Sequence, residues 1–145
     1  MKIVSYIFPF LLLLIACDKE TDNPISPTAS LLQGKWIHNE AYISAGGPQY
    51  WVDVDNGEAI EFYMDGTFSS NRFTECDTGN FWIEENTLFL EYTCDEFETP
   101  ANNEDSYITY RLELFSDYFI LTPTSGPICI EGCSYKYQKV GNTDN

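Results

Sequence analysis

His38, Glu40 and Tyr42 stand two residues apart, and no other stretch of this chain sets an imidazole, a carboxylate and a phenol so close together. Alternate residues of a strand share a face, so on a strand the three would project together. They could hold a polar ligand or move a proton. His38 is the one histidine among 145 residues, so a Ser-His-acid hydrolase would rest wholly on it. The sequence has no G-x-S-x-G elbow, no H-E-x-x-H and no phosphate-binding glycine loop. Carboxylate-pair chemistry needs only two acids, and with 23 acidic residues their presence discriminates nothing. The trio reads as part of a binding module, not an enzyme.

Cys76, Cys94, Cys129 and Cys133 are the other reactive side chains of the C-terminal three-quarters. Neither close spacing is the C-x2-C usual for zinc, and one histidine is too few to complete a mixed site. No metal and no cofactor is expected. Disulfides are the alternative, and four cysteines permit three pairings. The string Asp53-Val54-Asp55-Asn56-Gly57-Glu58 departs from a calcium loop, which needs its glycine sixth and a glutamate twelfth. Asn56-Gly57 reads instead as a hairpin turn, because both residues tolerate positive φ.

The elements that would position these groups are strands. Apolar residues recur with period two almost throughout, predicting strands near 35–43, 49–54, 58–64, 67–74, 80–84, 88–93, 107–115, 118–123 and 134–140. Residues 29–33 predict one short helical turn. A three-residue loop at 64–66, with Gly66 left-handed, pairs Phe62 with Phe68 and Glu58 with Arg72. Cross-strand pairs of that kind contribute about 0.2–1 kcal/mol each. A turn at Glu85-Asn86 matches Ile83 with Leu88 and Phe81 with Leu90. Extended outward, that hairpin brings Cys76 near Cys94, and a bond there would contribute about 3 kcal/mol on the chain-entropy model. Cys129 and Cys133 remain as the second pair. Consecutive antiparallel strands joined by tight turns predict an all-β, antiparallel up-and-down barrel of about eight strands with little helix.

Gly34-Lys35-Trp36 opens the first strand, and this resembles the G-x-W signature of lipocalins and their calycin relatives. Phe62-Tyr63-Met64-Asp65-Gly66-Thr67-Phe68 and Cys129 to Tyr137 are similar to segments of small bacterial lipoproteins with a lipocalin-like domain. The resemblance covers about residues 31–140. It implies a basic residue of the last strand over the tryptophan, closing the barrel bottom. Lys139 fits that role, although lipocalins usually carry arginine there and Lys136 is a second candidate. Tyr107-x-x-Tyr110 half matches the family's second signature. With Trp36 inward, His38, Glu40 and Tyr42 would follow it inside. Phe62, Tyr110, Tyr135 and Tyr137 would complete a ligand-binding wall for a small hydrophobic or aromatic molecule. In the alternative, Ile37, Ala41 and Ile43 face in, His38 lies on the surface, and a filled barrel acts as an envelope interaction module.

The N-terminus resembles a bacterial lipoprotein signal. One lysine and an apolar run precede Leu14-Ile15-Ala16-Cys17, which fits a lipobox. Residues 3–16 would make a helix of only about 21 Å, short of the roughly 30 Å of a hydrocarbon core. The resemblance implies that residues 1–16 are a signal peptide and that Cys17 is lipidated. It further implies that 17–30 are a disordered tether, 31–140 the barrel domain and 141–145 a tail. The membrane, reached through palmitate-type acyl chains, would then be one partner, and the address the cell envelope, on the outer membrane. The formal net charge of −16 repels nucleic acid, so no nucleic-acid partner is expected.

Overall fold

A computed structural model of the chain describes residues 22–44, 46–100, 106–126 and 133–141. Residues 1–16, expected to be a signal peptide, lie outside these residues, as do Cys17, Cys129 and 142–145 of the expected tail. The elements are α1 (Ala29–Leu32), β1 (Gly34–Ile43), β2 (Tyr50–Asp53), β3 (Ala59–Phe62), β4 (Thr67–Ser70), β5 (Thr78–Glu84), β6 (Thr87–Tyr92), β7 (Tyr107–Leu114), β8 (Tyr118–Pro123) and β9 (Ser134–Lys139).

From β3 to β9 each strand pairs antiparallel with the next, and β9 returns to pair with β1. The other edge of β1 pairs with β3, which closes an antiparallel eight-stranded barrel. Closure leaves those eight strands without an exposed edge. Period-two patterning drives the arrangement. Leu88, Leu90 and Tyr92 of β6 point inward, as do Ile108, Tyr110, Leu112 and Leu114 of β7, while their neighbours are more exposed. The two short hairpins have the expected registers: Phe62 opposes Phe68 with Gly66 at φ 86°, and Ile83 opposes Leu88. Cys76 and Cys94 form a disulfide with Cα atoms 5.6 Å apart.

Asp55-Asn56-Gly57 is not the hairpin its turn chemistry predicted. β2 and β3 do not pair with each other but follow one another along the same edge of β1. Glu40–Ile43 binds β2, and Gly34–Ile37 binds β3. Backbone bonds from Val54 N to Asn39 O and from His38 N to Glu58 O (2.8 Å each) hold the two flanks, so residues 55–57 loop out of one interrupted strand. Asn56, at φ 55°, makes the bend. Gly57 passes so close to β1 that an added Cβ would lie 1.9 Å from the His38 carbonyl oxygen. The true β1–β2 connection lies at 44–49.

One end of the barrel is shut. Thr28 caps α1, Leu32 is fully buried, and the Trp36 Nε1–H donates to the Leu32 carbonyl at 2.7 Å. Lys139 opposes Trp36 in the β1–β9 register, with its Nζ 4.9 Å from the indole centroid. Above them Trp36 packs on Phe119, which meets Phe62 and stacks on Tyr137. Each such ring pair adds about 0.5–1.5 kcal/mol beyond its area. Residues 22–30, expected to belong to a free tether, are placed against this end. Ile25 N donates to Leu114 O at 2.8 Å, giving the polar segment a strand-like contact where composition alone predicted none.

Candidate functional site

The alternation along β1 decides which side chains enter the barrel. Trp36 and His38 share a face, but the β1–β9 register slips between His38 and Glu40, leaving Asn39 as an extra, bulged residue. An extra residue reverses the parity of everything after it. Ala41 therefore opposes Tyr135, whereas Glu40 opposes Lys136. Glu40 and Tyr42, expected to line a ligand wall with His38, face outward. The Glu40 carboxylate accepts from Lys136 Nζ at 2.7 Å, and Tyr42 packs on the exposed Trp51. Lys136, the second candidate for barrel closure, is engaged there and over the Tyr118 ring. Phe62 points inward but is 1% exposed, within the packed lower core.

At the end opposite α1, strands β1, β4, β6 and β8 finish and β2, β5, β7 and β9 begin, and a polar cluster lies beneath it. Glu58 precedes β3 in the inward register of Ile60 and Phe62. Its Oε1 accepts from Ser70 Oγ at 2.5 Å and its Oε2 from Tyr137 OH at 2.7 Å. Arg72 Nη1 is 3.6 Å from the same Oε2 and donates to Tyr110 OH at 2.8 Å. Glu58 is 11% exposed at its side chain and Arg72 33%. The carboxylate is thus buried under two hydroxyls, and the guanidinium stands above it toward solvent.

His38 stacks on Tyr137 with centroids 5.2 Å apart and meets Tyr135 edge-on. Its Nε2 lies 3.1 Å from the Glu40 carbonyl, which places the proton of the neutral ring on Nε2. Burial lowers the His38 pKa; Glu58 and the Glu40 carbonyl oppose that shift, and Arg72 adds to it. Burial pushes the Tyr110 phenol up to about 12, against the pull of Arg72. Burial, reinforced by Glu58, raises Tyr137 well above its ordinary value. Burial acts against the charge of Arg72, but Tyr110 and Glu58 outweigh it and raise the guanidinium pKa. At neutral pH the raised Tyr110 and Tyr137 phenols keep their protons and the lowered His38 ring is neutral, beside the Arg72–Glu58 ion pair.

Two spaces open among these groups. A crevice of about 150 Å3 is lined by His38, Glu58, Arg72, Tyr135 and Tyr137. A cavity of about 310 Å3 adjoins it through the shared Arg72 and Tyr135. Its apolar wall is Phe73, Pro100, Ile108 and Pro123, and its remaining polar side chains are Tyr110 and Ser125. His38, Tyr110, Tyr135 and Tyr137, four of the residues read from sequence as a ligand wall, meet here. Glu58, Ser70, Arg72, Phe73 and Ser125 were not read as site residues. The Glu58–Arg72 register pair was the one signal that could have found them. Cys133 is disulfide-bonded, and its expected partner Cys129 is outside the described residues. Among the described residues no group of three or more His, Cys, Asp or Glu side chains is placed to hold a metal.

No protein-family model matches the chain, and no curated protein matches it. Among solved structures it is similar to the crystal structure of a lipocalin-like protein from Bacteroides uniformis, at 17% identity. The likeness covers 75% of this chain and 98% of that one, with a TM-score of 0.47. The assignment as a lipocalin-like barrel rests on strand order and closure.

Proposed function

We propose that the chain is a non-enzymatic binding module, anchored to the outer membrane through lipid on Cys17, whose barrel holds a small apolar or aromatic molecule at its open end. The observation that carries this reading is the contrast between the two ends of one barrel. The lower interior is filled by Trp36, Phe62, Phe119, Leu112 and Leu114, each no more than 1% exposed. The upper end keeps two adjoining spaces walled by aromatic and proline residues. Concave, mainly apolar space with a few convergent polar groups is what small-molecule sites are made of. The buried Trp36 lies at the opposite end and would report poorly on an occupant there.

A neutral aromatic such as 2-naphthol tests the cup. Titrated into 15N-labelled protein, it should shift the amides of Ile108, Tyr110 and Tyr135. Shifts confined to the outer aromatics Trp51 and Trp82, or none at all, would sink the reading. They would favour instead the filled-barrel interaction module, to which the tightly packed lower half lends support. Anchoring is tested separately by metabolic labelling with palmitate: the chain should incorporate label, and Cys17→Ser should abolish it while the barrel still folds.

A further inference from the structure

The polar side chains of the larger cavity have a common character. Among the described residues the Arg72 guanidinium makes one hydrogen bond, from Nη1 to Tyr110 OH, so its Nε and Nη2 hydrogens have no described acceptor. Tyr110 OH accepts that bond, and its own proton has no acceptor among the described residues. Ser125 Oγ accepts from Thr109 N at 2.8 Å, and its hydroxyl proton is likewise uncommitted among the described residues. Tyr135 OH sits 3.8 Å from the sulfur of Cys133. That cysteine is in a disulfide and has no hydrogen to give, so the phenol is the donor in a long, weak contact.

The cluster's carboxylate is arranged the other way. Glu58 has both oxygens occupied, by Ser70 at 2.5 Å and Tyr137 at 2.7 Å, while Arg72 stands off at 3.6 Å. The negative charge is satisfied by two hydroxyls, and Arg72, whose Nε and Nη2 hydrogens no described residue accepts, lines both spaces. A neutral apolar guest would leave these donors without partners in a partly dry site, and a cation would face Arg72 directly.

We propose that the cavity takes a compact apolar monoanion, a carboxylate on an aromatic or similarly bulky body. Its oxygens would meet Arg72 and Tyr110, with Ser125 and Tyr135 within the same wall, and its apolar part would lie against Phe73, Ile108 and Pro123. The inference rests on the cup reading above and adds the charge of its occupant. Attraction to a negative ligand is local, since the chain as a whole carries −16. Specificity therefore comes from contact with Arg72 and not from long-range steering.

Calorimetric titration of the folded protein with 2-naphthoate and its neutral isostere 2-naphthamide at pH 7 tests this. Naphthoate should bind at least about tenfold more tightly, as hydrogen bonds to a charged group imply. Arg72→Met should bring it down to the level of the amide. Because that change leaves Glu58 without its counter-ion, the double variant Glu58→Gln/Arg72→Met should give the same loss with the charge balance kept. Far-UV circular dichroism checks folding in both. Lys35→Met, on the outer face, should leave the preference intact. Equal affinities, tighter binding of the amide, or a preference that survives the double variant would overturn the inference while leaving the cup in place. No binding of either compound would overturn both.

Discussion

Replacing Gly57 with alanine should cost the barrel about 2–4 kcal/mol, and the reason is steric. Gly57 carries no left-handed φ, so alanine meets no conformational objection there. The new methyl would, however, lie 1.9 Å from the His38 carbonyl oxygen and 2.9 Å from its carbon. These are main-chain atoms in a paired strand and cannot swing aside as a side-chain tip could. Relief requires the loop 55–57 to lift from β1 by about an ångström, well outside van der Waals tolerance. That movement stretches the 2.8 Å bond from His38 N to Glu58 O and pulls Glu58 away from Ser70 and Tyr137. Overpacking of this kind costs about 1–3 kcal/mol, and a weakened hydrogen bond beside a buried carboxylate adds about 1 kcal/mol more. For a domain near this size the melting temperature should fall by about 10–20 °C. Thermal melts followed by far-UV circular dichroism read this directly. Gly47→Ala is the control, since nothing lies within 4 Å of its added Cβ. A Gly57→Ala melting point within about 2 °C of the parent would refute the close crossing of residues 55–57 over β1.

The closed end gives two unequal predictions. Trp36→Ala should cost about 3–5 kcal/mol in urea unfolding, as expected for a buried indole. Lys139→Met should cost no more than about 1 kcal/mol, because the exposed ammonium offers only a cation–π contact. Cys76→Ser/Cys94→Ser should lower stability by about 3 kcal/mol through the freed loop, without changing the far-UV spectrum. Stability should also fall with pH through His38. Its pKa is depressed in the fold, so the unfolded chain binds the proton more readily. The loss begins as pH drops below about 6.5 and continues down to the folded pKa. Melts of His38→Gln over that window should show a shallower slope, and an unchanged slope would place the titration elsewhere.

The strands were legible because period-two patterning is local, and so were the registers at Gly66 and at Glu85-Asn86, where the turn residues admit few loop lengths. Cys76 and Cys94 followed from the second of these hairpins. Asp55-Asn56-Gly57 was misread because the same turn chemistry serves a hairpin and a loop extruded from one strand. Which one forms depends on whether β2 and β3 bind each other or share the edge of β1, and β1 lies outside any short window. Glu40 and Tyr42 were misplaced by the single extra residue at Asn39, since nothing in Ile37-His38-Asn39-Glu40 marks a bulge. In the sequence Arg72 stands out only as the cross-strand partner of Glu58. Its bond to Tyr110, 38 residues on, joins the connection after β4 to β7, and no turn links those two.

The polar stretch before α1 runs along the shut end of the barrel, with Ile25 bonded to Leu114. In a chain tethered at Cys17, five residue steps of at most about 3.3–3.6 Å each lead from that residue to Asp22, a leash of no more than about 17 Å. β1 alone, ten residues long, reaches about 33 Å at strand rise. Such a leash is too short for the barrel to turn over, so the mouth would point away from the bilayer that holds it. Its guest would then arrive from the aqueous side or from a facing surface, not from the lipid leaflet underfoot.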